Sequence, residues 1–221
     1  GIYGFTQKSL KLIENFDETS LEKLESLEQL RWLENNLKIG VFCSRNKTIG
    51  VDTFADFKRV ERILMLKKIK ILFSDVDGIL TDGKIWYGKE GEELKGFNAK
   101  DGLAIKFLMK KGIEFVLISA RDSEPLRKRA KDLGIKYCIF NQEDKLKSCK
   151  EVLSKLNIDK SYAAYIGDDN IDIPAMEYCG MSFTVSDAVK PVLSKANIVL
   201  NSRGGEGALR EVSDLIFAEN L

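Results

Sequence analysis

The chain contains no histidine. That absence excludes Ser-His-Asp and Cys-His catalysis, histidine phosphate transfer and most zinc hydrolases. Any acid/base work falls to carboxylates, lysine, tyrosine or cysteine. Cysteine is sparse as well: Cys43, Cys138, Cys149 and Cys179 are scattered with no Cys-x-x-Cys pair, so neither a zinc cluster nor a disulfide framework is indicated. Neither sign of charge is in excess, with 35 lysines and arginines against 34 acids. No basic block stands out, and a nucleic-acid footprint is unsupported. No apolar run approaches membrane-spanning length and no signal peptide opens the chain, so no membrane partner is expected and a cytoplasmic location is the default.

What is present is a core. The 221 residues are 44% hydrophobic, enough for one medium domain plus a piece of another. The chain is organised around Ile69-Lys70-Ile71-Leu72-Phe73-Ser74-Asp75-Val76-Asp77-Gly78-Ile79-Leu80-Thr81-Asp82. A β-branched and aromatic run that breaks into Asp-x-Asp-Gly reads as a buried strand feeding a turn. Two carboxylates then stand at a strand's carboxyl end, where open α/β sheets place their chemistry. Taken alone the tetrapeptide reads more simply as an ordinary acidic turn. Paired buried acids, in contrast, require a cation or a shared proton.

Residues 1–66 form a first section. Leu21, Leu24, Leu27, Leu30 and Leu33 recur at helical spacing behind Thr19 and Ser20, which predicts one amphipathic helix ending near Asn35-Asn36. Lys38 to Phe42 is expected to be a strand. Thr53 and Asp56 form a capping arrangement before a helix carrying Phe57, Val60, Ile63 and Leu64 on one face. The junction Leu64-Met65-Leu66-Lys67-Lys68 has no Pro, Gly or Ser, so it reads as a short splice, not a flexible linker.

From residue 69 to 221 strand and helix alternate. Strands are expected over 69–74, 113–119, 137–140, 162–166, 182–185 and 198–200, with helices between them, implying a doubly wound, largely parallel sheet. Residues 83–97 break the rhythm as two short strands around a Gly-containing turn. This hairpin is either a covered sheet edge or a flap over a site.

Four signals follow one another at strand ends or helix starts. Asp75-Val76-Asp77-Gly78 is the first, and Ile118-Ser119-Ala120-Arg121 places a hydroxyl at a strand tip, suited to a phosphate oxygen or to a helix cap. Lys145 opens an amphipathic helix, where a lysine is ordinarily solvated. Gly167-Asp168-Asp169-Asn170-Ile171-Asp172 crowds three carboxylates after a strand, a density that is expensive without a cation.

In this order the signals resemble the haloacid dehalogenase superfamily over residues 69–218. The resemblance implies Asp75 as a nucleophile forming an aspartyl-phosphate, and Asp77 as the acid that protonates the leaving alkoxide and then activates water. Mg²⁺ would be held by Asp75, the backbone carbonyl of Asp77 and Asp168, with Asp169 and Asp172 supporting those ligands. Ser119 and Lys145 would meet the phosphoryl oxygens. Asp77 also separates reactions, since carbon–halogen cleavage has no need of an acid two residues after the nucleophile.

Within the superfamily, Asp77-Gly78-Ile79-Leu80-Thr81-Asp82-Gly83, Phe97-Asn98-Ala99-Lys100-Asp101-Gly102 and Gly204-Gly205-Glu206-Gly207-Ala208-Leu209-Arg210-Glu211 resemble the capless family that hydrolyses 3-deoxy-D-manno-octulosonate (KDO) 8-phosphate. That likeness implies a sugar-phosphate substrate and a homotetramer in which flap and neighbouring tail close the site. It also implies that Lys100, Arg121, Arg203 and Arg210 bind the sugar acid. Three positions depart from the family pattern: Ala120 stands where Gly is usual, Lys100 where Arg is, and Glu206 where a basic residue is. Glu206 leaves open a nine-carbon nonulosonate 9-phosphate as substrate, while Arg121 suits the eight-carbon acid.

The first section has a likeness of its own. Gly1-Ile2-Tyr3, the run Glu25-Ser26-Leu27-Glu28-Gln29-Leu30-Arg31 and Gly50-Val51-Asp52-Thr53 resemble the C-terminal end of CMP-KDO synthetase, a cytidylyltransferase. That family's nucleotide-binding half is not in this sequence, so no cytidylyl transfer is expected, and Asp52 reads either as a magnesium ligand or as a turn residue. An inactive module serving a cytidylyltransferase, or part of a bifunctional enzyme, are the rival readings. Intact Asp75, Asp77, Lys145 and Asp168 speak for a working phosphatase.

Overall fold

The computed structural model describes residues 2–43 and 49–218. They fall into two compact units, Gly1–Thr48 and Ile49–Leu221. The first holds helices α1 (Gln7–Ile13), α2 (Ser20–Glu25) and α3 (Glu28–Glu34). The single helix expected after Thr19 is therefore two, because Ser26 adopts a left-handed conformation (φ 54°) that ends α2. Its leucine stripe is not the buried face: Leu21, Leu24, Leu27 and Leu33 are exposed. Trp32 is buried instead, edge-on to Tyr3 and Phe5 at 5.1 and 5.0 Å. Glu22 is buried because Arg31 grips both its oxygens at 2.5 and 2.6 Å. The strand expected at Lys38–Phe42 is irregular, since a strand needs a neighbouring edge and the described part of this unit contains none.

In the second unit α4 (Phe54–Lys68) leads into β1 (Ile71–Ser74), then the hairpin β2 (Trp86–Gly88) and β3 (Gly91–Leu94). Next come α5 (Ala99–Lys110), β4 (Glu114–Ile118), α6 (Glu124–Leu133), β5 (Tyr137–Ile139), α7 (Lys145–Leu156) and β6 (Ala163–Ile166). The chain closes with α8 (Ile173–Tyr178), β7 (Met181–Thr184), α9 (Lys190–Lys195), β8 (Ile198–Val199) and α10 (Ala208–Phe217). Thr53 and Asp56 cap α4 reciprocally, at 3.1 and 3.0 Å. The splice at 64–68 is the last turn of that helix, which packs against α10 and the short turn Lys160–Tyr162. Its buried side is Leu66 with half-buried Val60 and Ile63, whereas Phe57 and Leu64 face outward.

All expected strands of the sheet are present, most of them trimmed by a residue or two, in the order β5-β4-β1-β6-β7-β8 and parallel throughout. Ile71, Leu72 and Phe73 of β1 are fully buried, as are Val116 and Leu117 of β4 and Tyr165 and Ile166 of β6. Such runs are continuously apolar because helices cover both faces. From β1 the chain steps outward to β4 and β5, then crosses back to β6, β7 and β8. Right-handed crossovers in opposite directions put the connecting helices on opposite faces. The carboxyl ends of β1 and β6 flank the point where direction reverses, the position that binds ligands in open α/β sheets. Ser74 pairs with Leu117 on one side and Ile166 on the other, so Asp75, Ser119 and Asp168 all leave the sheet at this rim. Among the described residues only the hairpin and α5 lie between β1 and β4, so no cap domain intervenes.

Candidate active site

Asp75 follows β1 directly, its N–H donating to the Ile166 carbonyl at 3.0 Å. Gly78, at φ +88°, then turns the chain back, and a Cβ there would lie 2.0 Å from Asp168 Oδ2. Only glycine lets the second acid approach the first loop so closely. Gly167 plays the same part after β6, since a Cβ on it would fall 2.3 Å from Asp172 Cγ.

Lys145 joins the two loops. Although it opens a helix, where solvent would be ordinary, it is 1% exposed. Its Nζ lies 2.8 Å from Asp75 Oδ1 and 2.7 Å from Asp172 Oδ1. Asp172 is fully buried and spends both oxygens on protein: Oδ1 also accepts from the Tyr165 hydroxyl at 2.7 Å, and Oδ2 accepts the Asp168 and Asp169 N–H groups at 3.1 Å. Asp169 is exposed and accepts from the Asn170 N–H at 2.6 Å, outside the carboxylate cluster.

Carboxylate oxygens of Asp75, Asp168 and Asp172 come within 4.8 Å of one another. Burial, reinforced by the charge of Asp172, raises the pKa of Asp75 despite Lys145. Burial and then the charges of Asp75 and Asp172 push Asp168 up to about 8. For Lys145 burial works against the ammonium, but the two aspartates outweigh it and hold its pKa above the ordinary value. One cation thus serves three acids. Asp168 Oδ1 is buried and accepts no hydrogen bond. A buried, unpartnered carboxylate oxygen facing two further carboxylates fits a hard divalent cation. With Asp172 saturated, Asp75, Asp168 and the loop carbonyls between them are the groups free to hold it.

Asp77 is held differently. Its Oδ1 accepts from Lys95 Nζ at 2.7 Å and from Thr81 Oγ1 at 3.3 Å. Lys95 follows β3, and its side chain is fully buried. Sequence reading missed it, because alternation on a hairpin treats lysine as solvent-facing. Ser119 is buried and accepts the Arg121 N–H at 3.1 Å. Arg121 Nη2 donates to the Tyr87 hydroxyl of the hairpin at 2.8 Å, so the hairpin reaches the β4 loop.

The Gly-rich tail docks on the first acidic loop. Gly205 N–H donates to the Ile79 carbonyl at 2.9 Å, and a Cβ on Gly204 would lie 2.1 Å from the Gly78 oxygen. Asn98 Nδ2 reaches the Gly205 carbonyl at 3.1 Å, and buried Asp101 accepts the Arg210 N–H at 3.0 Å. The arginine side chains themselves point to surface partners, Arg203 to Asp187 at 3.2 Å and Arg210 to Asp214 at 2.9 Å. Lys100 is exposed at the start of α5. These cations are not gathered with the acids as Lys145 is.

Comparison with known proteins fits this geometry. A family model described as haloacid dehalogenase-like hydrolase matches residues 138–211. The KDO 8-phosphate phosphatase KdsC of Haemophilus influenzae is 44% identical over 152 residues, which are 69% of this chain and 84% of the relative. The chain belongs to the KDO 8-phosphate phosphatase family. Escherichia coli K12 has a member 41% identical over 70% of this chain and 82% of its own. The phosphatase of Moraxella catarrhalis, solved with magnesium, phosphate and KDO, superimposes with a TM-score of 0.69 at 40% identity, over 71% of this chain and 90% of that one. The cobalt-bound Haemophilus enzyme superimposes at 0.68, over 69% of this chain and 89% of that one. Membership of the KDO 8-phosphate phosphatase family makes the parallel sheet a haloacid dehalogenase-like fold and the chain a hydrolase of phosphate esters.

Proposed function

We propose that the chain hydrolyses KDO 8-phosphate to KDO and inorganic phosphate with Mg²⁺ as cofactor. The observation that carries this reading is the convergence of Asp75 and Asp168 across Gly78, clamped by Lys145 and Asp172, with Asp168 Oδ1 unpartnered. Asp75 attacks phosphorus, forming a carboxylate–phosphorus bond while the bond to the sugar oxygen breaks. Asp77 gives its proton to the departing alkoxide, then takes one from the water that hydrolyses the aspartyl-phosphate. Ser119 and Lys145 donate to the equatorial oxygens. When bound through Asp75, Asp168 and the Asp77 carbonyl, Mg²⁺ supplies positive charge between a carboxylate and a phosphate dianion that otherwise repel. Asp172 holds Lys145 and the Asp168 loop in place, and Arg121, at the hairpin contact, faces the sugar acid, whereas Arg203 and Arg210 are turned to surface carboxylates.

The test is phosphate release from a sugar-phosphate panel, with and without EDTA. KDO 8-phosphate is expected to be the preferred substrate and chelation to abolish turnover. A higher kcat/KM on a nonulosonate 9-phosphate, or activity undiminished by EDTA, refutes the proposal.

The shifted acids add a pH signature. A carboxylate whose pKa is raised on folding contributes stability that is present at low pH and lost as pH rises through the folded value. Without metal, Asp168 therefore destabilises the fold as pH climbs toward about 8. A divalent ion compensates only the ionised form, so the difference in Tm between Mg²⁺ and EDTA is expected to widen from pH 5.5 to pH 8.5. A difference that narrows over that range contradicts the assigned ligands.

Two further parts of this reading concern the chain's surroundings. The hairpin exposes Trp86, Tyr87 and Leu94, and a site with no cap needs covering, so we propose a homotetramer of cytoplasmic enzyme whose subunits complete one another's sites. Light scattering that returns a monomer at assay concentration refutes it. Residues 1–66 are proposed to correspond to the C-terminal end of a cytidylyltransferase-like domain outside the phosphatase site; phosphatase activity lost on mutation of Asp52 argues against that.

A further inference from the structure

We propose that Lys95 is the positioning residue for the acid Asp77, tying the proton donor to the hairpin that lies beside the site. This rests on the phosphatase reading above and adds to it a residue that neither the acidic motifs nor the hydrophobic periodicity points to.

Three observations lead there. First, Lys95 has a side chain with no exposed surface, on a hairpin whose flanking residues Trp86, Tyr87 and Leu94 are exposed. A lysine is buried in such a place only where its ammonium is engaged. Second, its Nζ meets Asp77 Oδ1 at 2.7 Å, and Thr81 Oγ1 meets the same oxygen at 3.3 Å. Two donors on Oδ1 fix the plane of the carboxyl group and leave Oδ2 as the oxygen open to the substrate. Third, Lys95 immediately follows β3, so the hairpin and the acid share one rigid link, while Arg121 and Tyr87 tie the same hairpin to the β4 loop.

A hairpin lifted from the site withdraws Lys95 and frees Asp77 to rotate. With the hairpin seated, Oδ2 is aimed for transfer to the alkoxide. The bond from phosphorus to the sugar oxygen breaks as the Asp75 oxygen bonds to phosphorus, and the Asp77 proton passes to the sugar oxygen. Lys95 touches none of the reacting atoms and acts through Asp77.

Leaving-group dependence separates this role from a structural one. A sugar alkoxide needs the proton, whereas p-nitrophenolate departs without it, and general acids contribute about 10²–10⁴-fold. Lys95→Met is expected to lower kcat/KM on KDO 8-phosphate about 100-fold and on p-nitrophenyl phosphate less than threefold, with Lys95→Arg recovering at least a tenth of wild-type activity on the sugar ester. Asp77→Asn provides the reference for the same selective loss. Equal losses on both esters, or no loss on either, overturn the proposal. Should the Met variant fail to fold by circular dichroism, Lys95→Gln is read by the same ratio. Wild-type enzyme that releases no phosphate from KDO 8-phosphate refutes the functional reading instead, and is distinguished by that control alone.

Discussion

Asp75→Asn is expected to lower phosphate release by at least about 10⁴-fold, the scale on which nucleophile removal acts, while leaving the fold intact. Asparagine keeps the size of the side chain and one oxygen for Lys145 Nζ, now 2.8 Å from Asp75 Oδ1. What it loses is the second nucleophilic oxygen and the charge. Burial and Asp172 already oppose that charge, as the raised pKa of Asp75 records. In EDTA at pH 8 the variant is therefore expected to melt no lower than wild type. Catalysis and stability pull in opposite directions at this residue, which is characteristic of a site assembled for chemistry. Initial-rate assays beside thermal melts check both halves. Activity within tenfold of wild type rules out Asp75 as nucleophile.

Removal of the buried ammonium should have the opposite balance. Lys145→Met leaves Asp75 and Asp172 facing each other without their shared cation, and breaking a buried pair from one side costs about 3–5 kcal/mol. For a chain of this size that corresponds to a Tm roughly 10 °C lower. Loss of an oxyanion donor should also reduce kcat by about 10²–10³-fold. The stability deficit has a pH sign. With Lys145 gone, Asp75 loses the positive charge that opposes its burial and its folded pKa rises further, so protonation at low pH relieves the repulsion with Asp172 and the deficit shrinks. Urea unfolding at pH 5 and pH 8 measures this, and a deficit below about 1 kcal/mol at pH 8 would show that Lys145 is not the counter-ion that holds the cluster.

Much of the phosphatase fold was legible because its signals are local. β1 is an apolar run that stops at Asp75, and β4 and β6 repeat that pattern before a polar loop, which points to a buried parallel sheet. The first unit was read less well for the converse reason. Its leucine stripe has helical spacing, yet the left-handed Ser26 interrupts it, and the aromatic cluster of Tyr3, Phe5 and Trp32 takes the buried place. Periodicity reports which faces could be buried, and tertiary packing chooses among them.

By itself, the sequence narrowed the chemistry: with no histidine, acid/base work falls to carboxylates, lysine, tyrosine or cysteine, and the order of Asp75, Asp77, Ser119, Lys145 and Asp168 resembles a superfamily of phosphoryl-transferring hydrolases. Tertiary structure alone decided which side chains those acids meet. Lys145 became the shared cation of Asp75 and Asp172, Lys95 the buried partner of Asp77, and Arg203 and Arg210 turned to surface carboxylates. The physical reason is distance. A motif fixes a residue's place at the rim of the sheet, but an ion pair forms between residues that lie far apart in the chain, and only folding settles which charge is near enough to be paired.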